Sequence, residues 1–244
     1  MAAELTSRLG LPDLSLSLPF SVPLTAVVAL LLLRVLLVLR AVGQPHRRRR
    51  LGDRLSTLVV LGSGGHTAEM LNLVTALSPA HYSPRCYIAA ATDAISLRKA
   101  RDLESTLAKA AAGDAPTSPS SPPSPPTFLS VYRSREVGQS YVTSVATTVL
   151  ATLHAMALVV RITPDLLLCN GPGTCVPICI AVFTLHVLGI KCSSIVFVES
   201  VARVEKLSLT GKLLHRLAIA DRFFVQWPEL ASRYKGTRYV GRLM

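Results

Sequence analysis

The stretch "LVVLGSGGHTAEML", residues 58–71, decides the fold. Its apolar start, within "STLVVLG", reads as a buried strand. The run meets Gly62-Ser63-Gly64-Gly65, and then Met70, Leu71, Val74 and Leu77 recur at helical spacing in "HTAEMLNLVTAL". Strand, glycine turn and helix make one βα unit. Glycines let the backbone turn tightly and let N–H groups approach an anion, while the helix N-terminus adds partial positive charge. The stretch is therefore either a phosphate cradle with His66 at its rim or a tight turn without a ligand. The dinucleotide fingerprint wants a third glycine where Thr67 stands, and an acidic residue about 20 residues on. Asp93 is a weak substitute for the latter, and no Walker lysine follows. Nicotinamide and NTPase sites are disfavoured.

Outward from this unit the same alternation continues. "RCYIAAAT" (85–92), "FLSVY" (128–132), "DLLLCN" (165–170), "SSIVFVES" (193–200) and "DRFFVQ" (221–226) read as further strands. Residues 95–112 read as a charged surface helix, 140–162 as a long, largely buried helix, and 174–189 as an apolar helix. Apolar strands alternating with helices predict a parallel sheet covered on both faces, an α/β, Rossmann-like fold. "GDAPTSPSSPPSPP" (113–126) is Pro/Ser-rich with almost no apolar content, so it reads as a disordered insert between a helix and a strand. The alternation resumes after it, so it marks no domain boundary.

A second glycine turn, "CNGPGTCVP" (169–177), also follows a strand and opens a helix, with Thr174 as a candidate N-cap. In a parallel sheet both turns fall at carboxyl ends of strands and can face one crevice. Two anion-binding turns suit a pyrophosphate better than a single phosphate. A third group, "FVESVARVEKLSLTGK" (197–212), sets Glu199 and Ser200 at a strand's end beside Arg203, Lys206 and Lys212. A solvated loop and helix face is the usual reading of such a charge run, and its position at a strand's carboxyl end puts a functional reading level with it.

Ahead of the α/β segment, residues 20–42 read "FSVPLTAVVALLLLRVLLVLRAV", long enough to cross a hydrocarbon core of roughly 30 Å as a helix. Arg40 can snorkel to the headgroups; Arg34 lies deeper and costs about 2.5 to 3.5 kcal/mol if central, which the Leu/Val-rich remainder offsets. The cluster "HRRRR" (46–50) then stays cytoplasmic under the positive-inside rule. Basic residues after the apolar run, and no small-residue cleavage site, argue against a signal peptide. The expected organisation is a short lumenal N-terminus (1–19), a transmembrane helix (20–42), a basic linker (43–55) and a Rossmann-like domain (56–244).

Composition agrees with one such domain plus a membrane element: 244 residues, net charge +12 and half the residues hydrophobic, with a mean hydropathy of +0.44. A basic chain could also bind nucleic acid, but aromatics are only 5% and no nucleic-acid module is visible. No nucleic-acid partner is expected. The five cysteines (Cys86, Cys169, Cys175, Cys179, Cys192) form no CxxC pair and have apolar neighbours. They read as buried thiols of a reducing compartment rather than zinc ligands. His154 and His186 lie on apolar helices and read as core or interface residues.

The ordered set "GSGGHT", "YRSREVGQS", "PDLLLCNGPGTCVPI", "VESVARVEKLSLTGK" and "VQWP" resembles the membrane-anchoring subunits of the UDP-N-acetylglucosamine transferase of dolichol-linked N-glycan assembly. The resemblance covers residues 56–244 apart from the insert. These subunits are similar to the N-terminal half of bacterial GT-B transferases that make peptidoglycan lipid intermediates. The resemblance implies a complex that adds the second N-acetylglucosamine to dolichyl-pyrophosphate-linked N-acetylglucosamine at the endoplasmic reticulum. The donor, UDP-N-acetylglucosamine, would be held by a separate soluble catalytic subunit, in a heterodimer, with no cofactor and no metal. The chain ends at "YVGRLM" without a second Rossmann half, so it should be incomplete as a catalyst.

On this reading Gly62, Ser63, Gly64, Gly65 and Thr67, with Asn170, Gly171, Gly173 and Thr174, cradle the pyrophosphate, and Arg203 adds charge. His66 is a candidate general base, since histidine titrates near neutral pH. Glu199 is the competing base or a ligand for a sugar hydroxyl. Arg133, Arg135 and Glu136 could line the same crevice. Trp227 and the tail Val240–Met244 are expected either at the partner or, for the tail, in a final strand. Two other classes stay open: a membrane scaffold without site residues, and an independent nucleotide-binding Rossmann enzyme.

Overall fold

A computed structural model of the chain describes residues 21–42, 53–113, 124–133, 140–171 and 173–243. The readings for residues 1–19, the basic cluster 46–50, positions 114–123 of the insert, and Arg135 and Glu136 lie outside these residues. The chain divides into two units, Met1–Leu37 and Val38–Met244.

Helix α1 (Ser21–Ala41) follows from an almost unbroken run of Leu, Val and Ala. Its window Leu24–Ala41 is long and apolar enough to cross a membrane. Leu24, Leu30 and Leu32 are all exposed, which a helix in water does not sustain over so many turns. These features point to membrane association. In the second unit, Val38 is buried and Leu39 packs against the core.

The rest of the second unit is one seven-stranded sheet: β1 (Thr57–Val60), β2 (Arg85–Ala90), β3 (Thr127–Val131), β4 (Leu166–Asn170), β5 (Ser194–Val198), β6 (Arg222–Val225) and β7 (Arg238–Tyr239). All pairings are parallel, in the order β3-β2-β1-β4-β5-β6-β7. The helices are α2 (Gly65–Thr75), α3 (Ala94–Gly113), α4 (Tyr141–Ile162), α5 (Cys175–Val187), α6 (Leu209–Leu217) and α7 (Pro228–Arg233). The expected Rossmann-like parallel sheet is thus present.

Chain direction along the sheet reverses after β3. Right-handed crossovers therefore put α2 and α3 on one face and the later helices on the other. Strand residues alternate accordingly. Val59, Leu61, Tyr87 and Ala89 pack with Met70 and Val74 of α2 and Ala100 of α3. Leu58, Val60, Cys86 and Ile88 pack with Ala155 and Val159 of α4 and with Ile178, Val182 and Leu185 of α5. Burying each such large side chain contributes roughly 1.5 to 3 kcal/mol.

Two sequence expectations need correction. Helix α4 is not largely buried: Val145, Val149, Leu150 and Leu153 are each more than half exposed. A helix apolar all round looks like a core helix in sequence, but only one of its faces meets the sheet. Cys192 is exposed, while the other four thiols are buried as expected; it follows the end of α5, where the chain returns to the sheet through an open turn.

Candidate functional site

The order of strands reverses between β1 and β4, and the two glycine turns follow these two neighbouring strands. In an open parallel sheet this switch point leaves a crevice beyond the carboxyl ends, because the flanking chains depart to opposite faces. The first turn, Ser63 to Gly65, is exposed. Gly64 has φ of 62° and ends at the first turn of α2 without a side-chain cap. Added Cβ atoms at Gly64 and Gly65 would meet open space, so what glycine supplies at Gly64 is the left-handed backbone. Thr67, by contrast, is buried and turned inward. Its hydroxyl donates to the Gly62 carbonyl and lies 2.6 Å from Ser96 Oγ. Ser96 Oγ in turn lies 2.9 Å from the Gly62 carbonyl oxygen and 2.6 Å from Asp93 Oδ2, with one hydrogen to donate between them. Thr67 and Asp93 thus brace the turn; the side chain of Thr67 does not face the crevice.

The second turn meets the first through His66. Gly171 is buried with φ of 45°. A Cβ there would lie 2.7 Å from Cε1 and 3.0 Å from Nδ1 of His66. The imidazole is therefore seated on the bare backbone of Gly171. Asn170 is buried, Gly173 exposed, and Thr174 occupies the N-cap position of α5 without a side-chain cap bond.

Glu69 joins these parts. It stands one turn after His66 on α2, and its Oε2 lies 3.3 Å from His66 Nδ1. The same oxygen accepts from Asn170 Nδ2 at 2.8 Å. Its Oε1 accepts from Ser200 Oγ at 2.8 Å and from the Val201 N–H at 3.2 Å. One carboxylate thus ties α2, the end of β4 and the loop after β5. Sequence reasoning passed over Glu69. The available signal was its position three residues after His66, where two helical side chains share a face.

Glu199 is wholly buried. Its Oε1 accepts from the Ser200 N–H at 3.2 Å. Its Oε2 accepts from the Ser208 N–H at 3.0 Å and the Ser208 hydroxyl at 3.1 Å. Ser208 Oγ also accepts from the Gly211 N–H at 2.9 Å, capping α6. Burial pushes the Glu199 carboxyl above its ordinary value of 4.5, against the lowering effect of these donors and of Arg203. The arrangement holds the 199–208 loop against α6 and leaves the carboxylate no face toward the crevice. Arg203 is exposed on that loop, its N–H donating to the Ser200 carbonyl at 3.0 Å.

The loop is also tied to the C-terminal segment. Trp227 Nε1 donates to the Val201 carbonyl at 2.7 Å, and the Arg242 guanidinium lies 4.6 Å from the Trp227 ring centroid. The wholly buried Gln226 accepts from the Leu243 N–H at 2.8 Å. The final strand is Arg238–Tyr239, just ahead of the tail expected to form one, and Val240 is exposed. Arg133 donates to Thr92 Oγ1 at 3.5 Å. His154 and His186 sit away from these turns: His154 accepts from the Tyr132 N–H at 3.3 Å and His186 lies 3.4 Å from Cys192 Sγ.

The family model described as "Oligosaccharide biosynthesis protein Alg14 like" matches residues 57–243. The chain belongs to the Alg14-like family. It is 48% identical over 190 residues to the UDP-N-acetylglucosamine transferase subunit ALG14 of Rattus norvegicus, covering 78% of this chain and 83% of that one. The human protein of that name is 44% identical over 219 residues (90% and 94%), and that of Schizosaccharomyces pombe 40% over 221 (89% and 96%). Among solved structures, Acinetobacter baumannii MurG superposes with a TM-score of 0.50 at 14% identity, covering 78% of this chain. The Alg14-like chain spans 44% of the length of that MurG chain, and the likeness is one of fold. The Alg14-like match takes in both glycine turns, Glu69 and the 199–208 loop, and begins at β1, after α1.

Proposed function

We propose that this chain is the membrane-anchoring, acceptor-binding subunit of a UDP-N-acetylglucosamine transferase of the endoplasmic reticulum. The complex adds the second N-acetylglucosamine, in β-1,4 linkage, to dolichyl-pyrophosphate-linked N-acetylglucosamine. A soluble subunit binds the donor and completes the site at the cytoplasmic face, and neither chain transfers alone. The observation that carries this reading is the meeting of two glycine turns at the β1/β4 switch point, with His66 seated on Gly171. Paired turns beside helix N-termini suit a diphosphate, and Ser63 to Gly65 in the first and Gly173 in the second are exposed. The acceptor's lipid stays in the bilayer, and α1 keeps the chain beside it.

In the reaction the acceptor hydroxyl attacks the anomeric carbon of the donor, UDP departs with the bonding electrons, and the carbon inverts. His66, partly exposed at the rim, takes the hydroxyl proton. The backbone of Gly62 to Gly65 and of Asn170 to Thr174 holds the pyrophosphate, with Arg203 adding positive charge. Glu199 serves by fixing its loop, not as the base. The C-terminal segment from Trp227 to Met244 contacts the soluble subunit.

Co-purification of the full chain with its soluble partner, followed by transfer from UDP-N-acetylglucosamine to a lipid-pyrophosphate acceptor, tests the reading. Transfer by the pair and by neither alone is the expected result. Intact transfer by a His66→Ala, Gly171→Ala double variant would leave only a scaffold role. Tight nucleotide binding by the chain alone would favour an independent enzyme.

A further inference from the structure

Glu69 has no part in the direct chemistry proposed above, yet it holds more of the site together than any candidate named from sequence. Its four contacts come from three places: His66 on its own helix, Asn170 at the end of β4, and Ser200 and Val201 after β5. Its side chain is only 14% exposed, against 36% for His66. A carboxylate accepts and never donates, so every hydrogen bond it makes fixes the proton on its partner. Asn170 must present its amide nitrogen, Ser200 its hydroxyl hydrogen, and neutral His66 the hydrogen on Nδ1.

We propose that Glu69 is the positioning residue for His66, holding the imidazole as the Nδ1–H tautomer so that the Nε2 lone pair is the one available to the acceptor. This rests on the reading of His66 as the proton-accepting group. Gly171 supplies the other constraint. The ring lies between its backbone and the Glu69 carboxylate, so it cannot rotate without losing one or meeting the other. As the acceptor oxygen bonds to the anomeric carbon, its proton passes to Nε2 and the bond from that carbon to the UDP oxygen breaks. The imidazolium that results keeps its Nδ1–H on the Glu69 carboxylate, which stabilises the new charge. The same carboxylate registers the loop bearing Arg203 against this ring through Ser200 and Val201.

The fold makes this division of labour possible. Ring orientation in a histidine base is set by what the other nitrogen meets. In this chain that partner comes from the same helix, one turn on, so the pair is positioned as soon as α2 forms. The link to Asn170 and Ser200 then depends on tertiary structure.

Two measurements on the full chain with its partner decide the matter. The first is a double-variant cycle with Glu69→Gln, which preserves shape and one acceptor oxygen. The change should lower kcat about 100-fold with donor KM unchanged, and should cost nothing further in a His66→Ala background. Equal losses in both backgrounds would make Glu69 a structural residue only, and full activity of Glu69→Gln would also overturn the proposal. The second is 15N NMR of histidine-labelled chain, which needs no transfer. His66 should show the Nδ1–H tautomer, and Glu69→Gln should abolish that preference; an Nε2–H tautomer in the unsubstituted chain would overturn the proposal. Glu69→Asp should restore part of the kcat, whereas a lost charge alone would be restored fully. Should the unsubstituted complex fail to transfer, the function proposed above falls, while the tautomer measurement still judges Glu69.

Discussion

At the residue scale the site depends on a position that no side chain can fill. Gly171 combines a left-handed backbone with direct contact to the His66 ring. Gly171→Ala would add strain of roughly 1 to 2 kcal/mol and push the imidazole off its seat. If His66 is the base proposed above, misplacing it costs about 100-fold in rate. The expected result is a chain that still co-purifies with its partner but transfers at about that reduced rate. Glu199 gives a prediction of another kind. Its folded-state pKa is raised, so between 4.5 and that raised value the folded chain binds more protons than the unfolded one. Its contribution is present in full below 4.5 and is lost as pH rises through the raised value. Thermal midpoints of the chain and of Glu199→Gln, measured across this range, should differ in slope: the midpoint of the unsubstituted chain should fall with pH relative to the variant. Parallel curves would contradict the burial effect.

At the element scale, α6 shows how a local rule reverses. Replacing a helical glycine by alanine normally stabilises by about 0.5 to 1 kcal/mol. At Gly211 a Cβ would run into the buried Glu199 carboxylate, with Ser208 Oγ 3.1 Å away. Gly211→Ala should instead destabilise by roughly 1 to 3 kcal/mol, as overpacking does. A denaturant melt reads the sign directly. Helix α4 makes the complementary point. Its sequence is apolar on every face, but the sheet takes only Ala155, Val159 and their neighbours. Hydrophobic content predicted the helix and overstated its burial, because content does not say which neighbours will arrive.

At the scale of the whole molecule, the sheet separates accessible from inaccessible chemistry. Cys86, Cys169, Cys175 and Cys179 are buried against it, and burial pushes the Cys86 thiol up to about 11. Cys192 is exposed. A thiol reagent at pH 8 should therefore label Cys192 rapidly in the folded chain and the other four only on unfolding. Fast labelling of a second site would mean that the sheet opens locally. The C-terminal segment is part of the same whole. Trp227, Gln226, Arg242 and Leu243 connect it to the 199–208 loop and so, through Ser200 and Val201, to Glu69. A partner that binds this segment would press on the loop that carries Arg203.

Periodicity and glycine placement determined the alternating strands and helices, their parallel pairing, the apolar N-terminal helix and the two turns of the candidate site. Those features are local: each depends on side chains a few residues apart, and the chain displays them in order. What only the tertiary structure decided is how the turns are completed. Thr67 faces inward, Glu199 is consumed by its own loop, and Glu69 joins its own helix to two segments that lie more than 100 residues further along the chain. A carboxylate's role is set by the donors around it, and here most of those donors arrive from other strands. No spacing along the chain records them, so the crevice was legible in the sequence and the group that organises it was not.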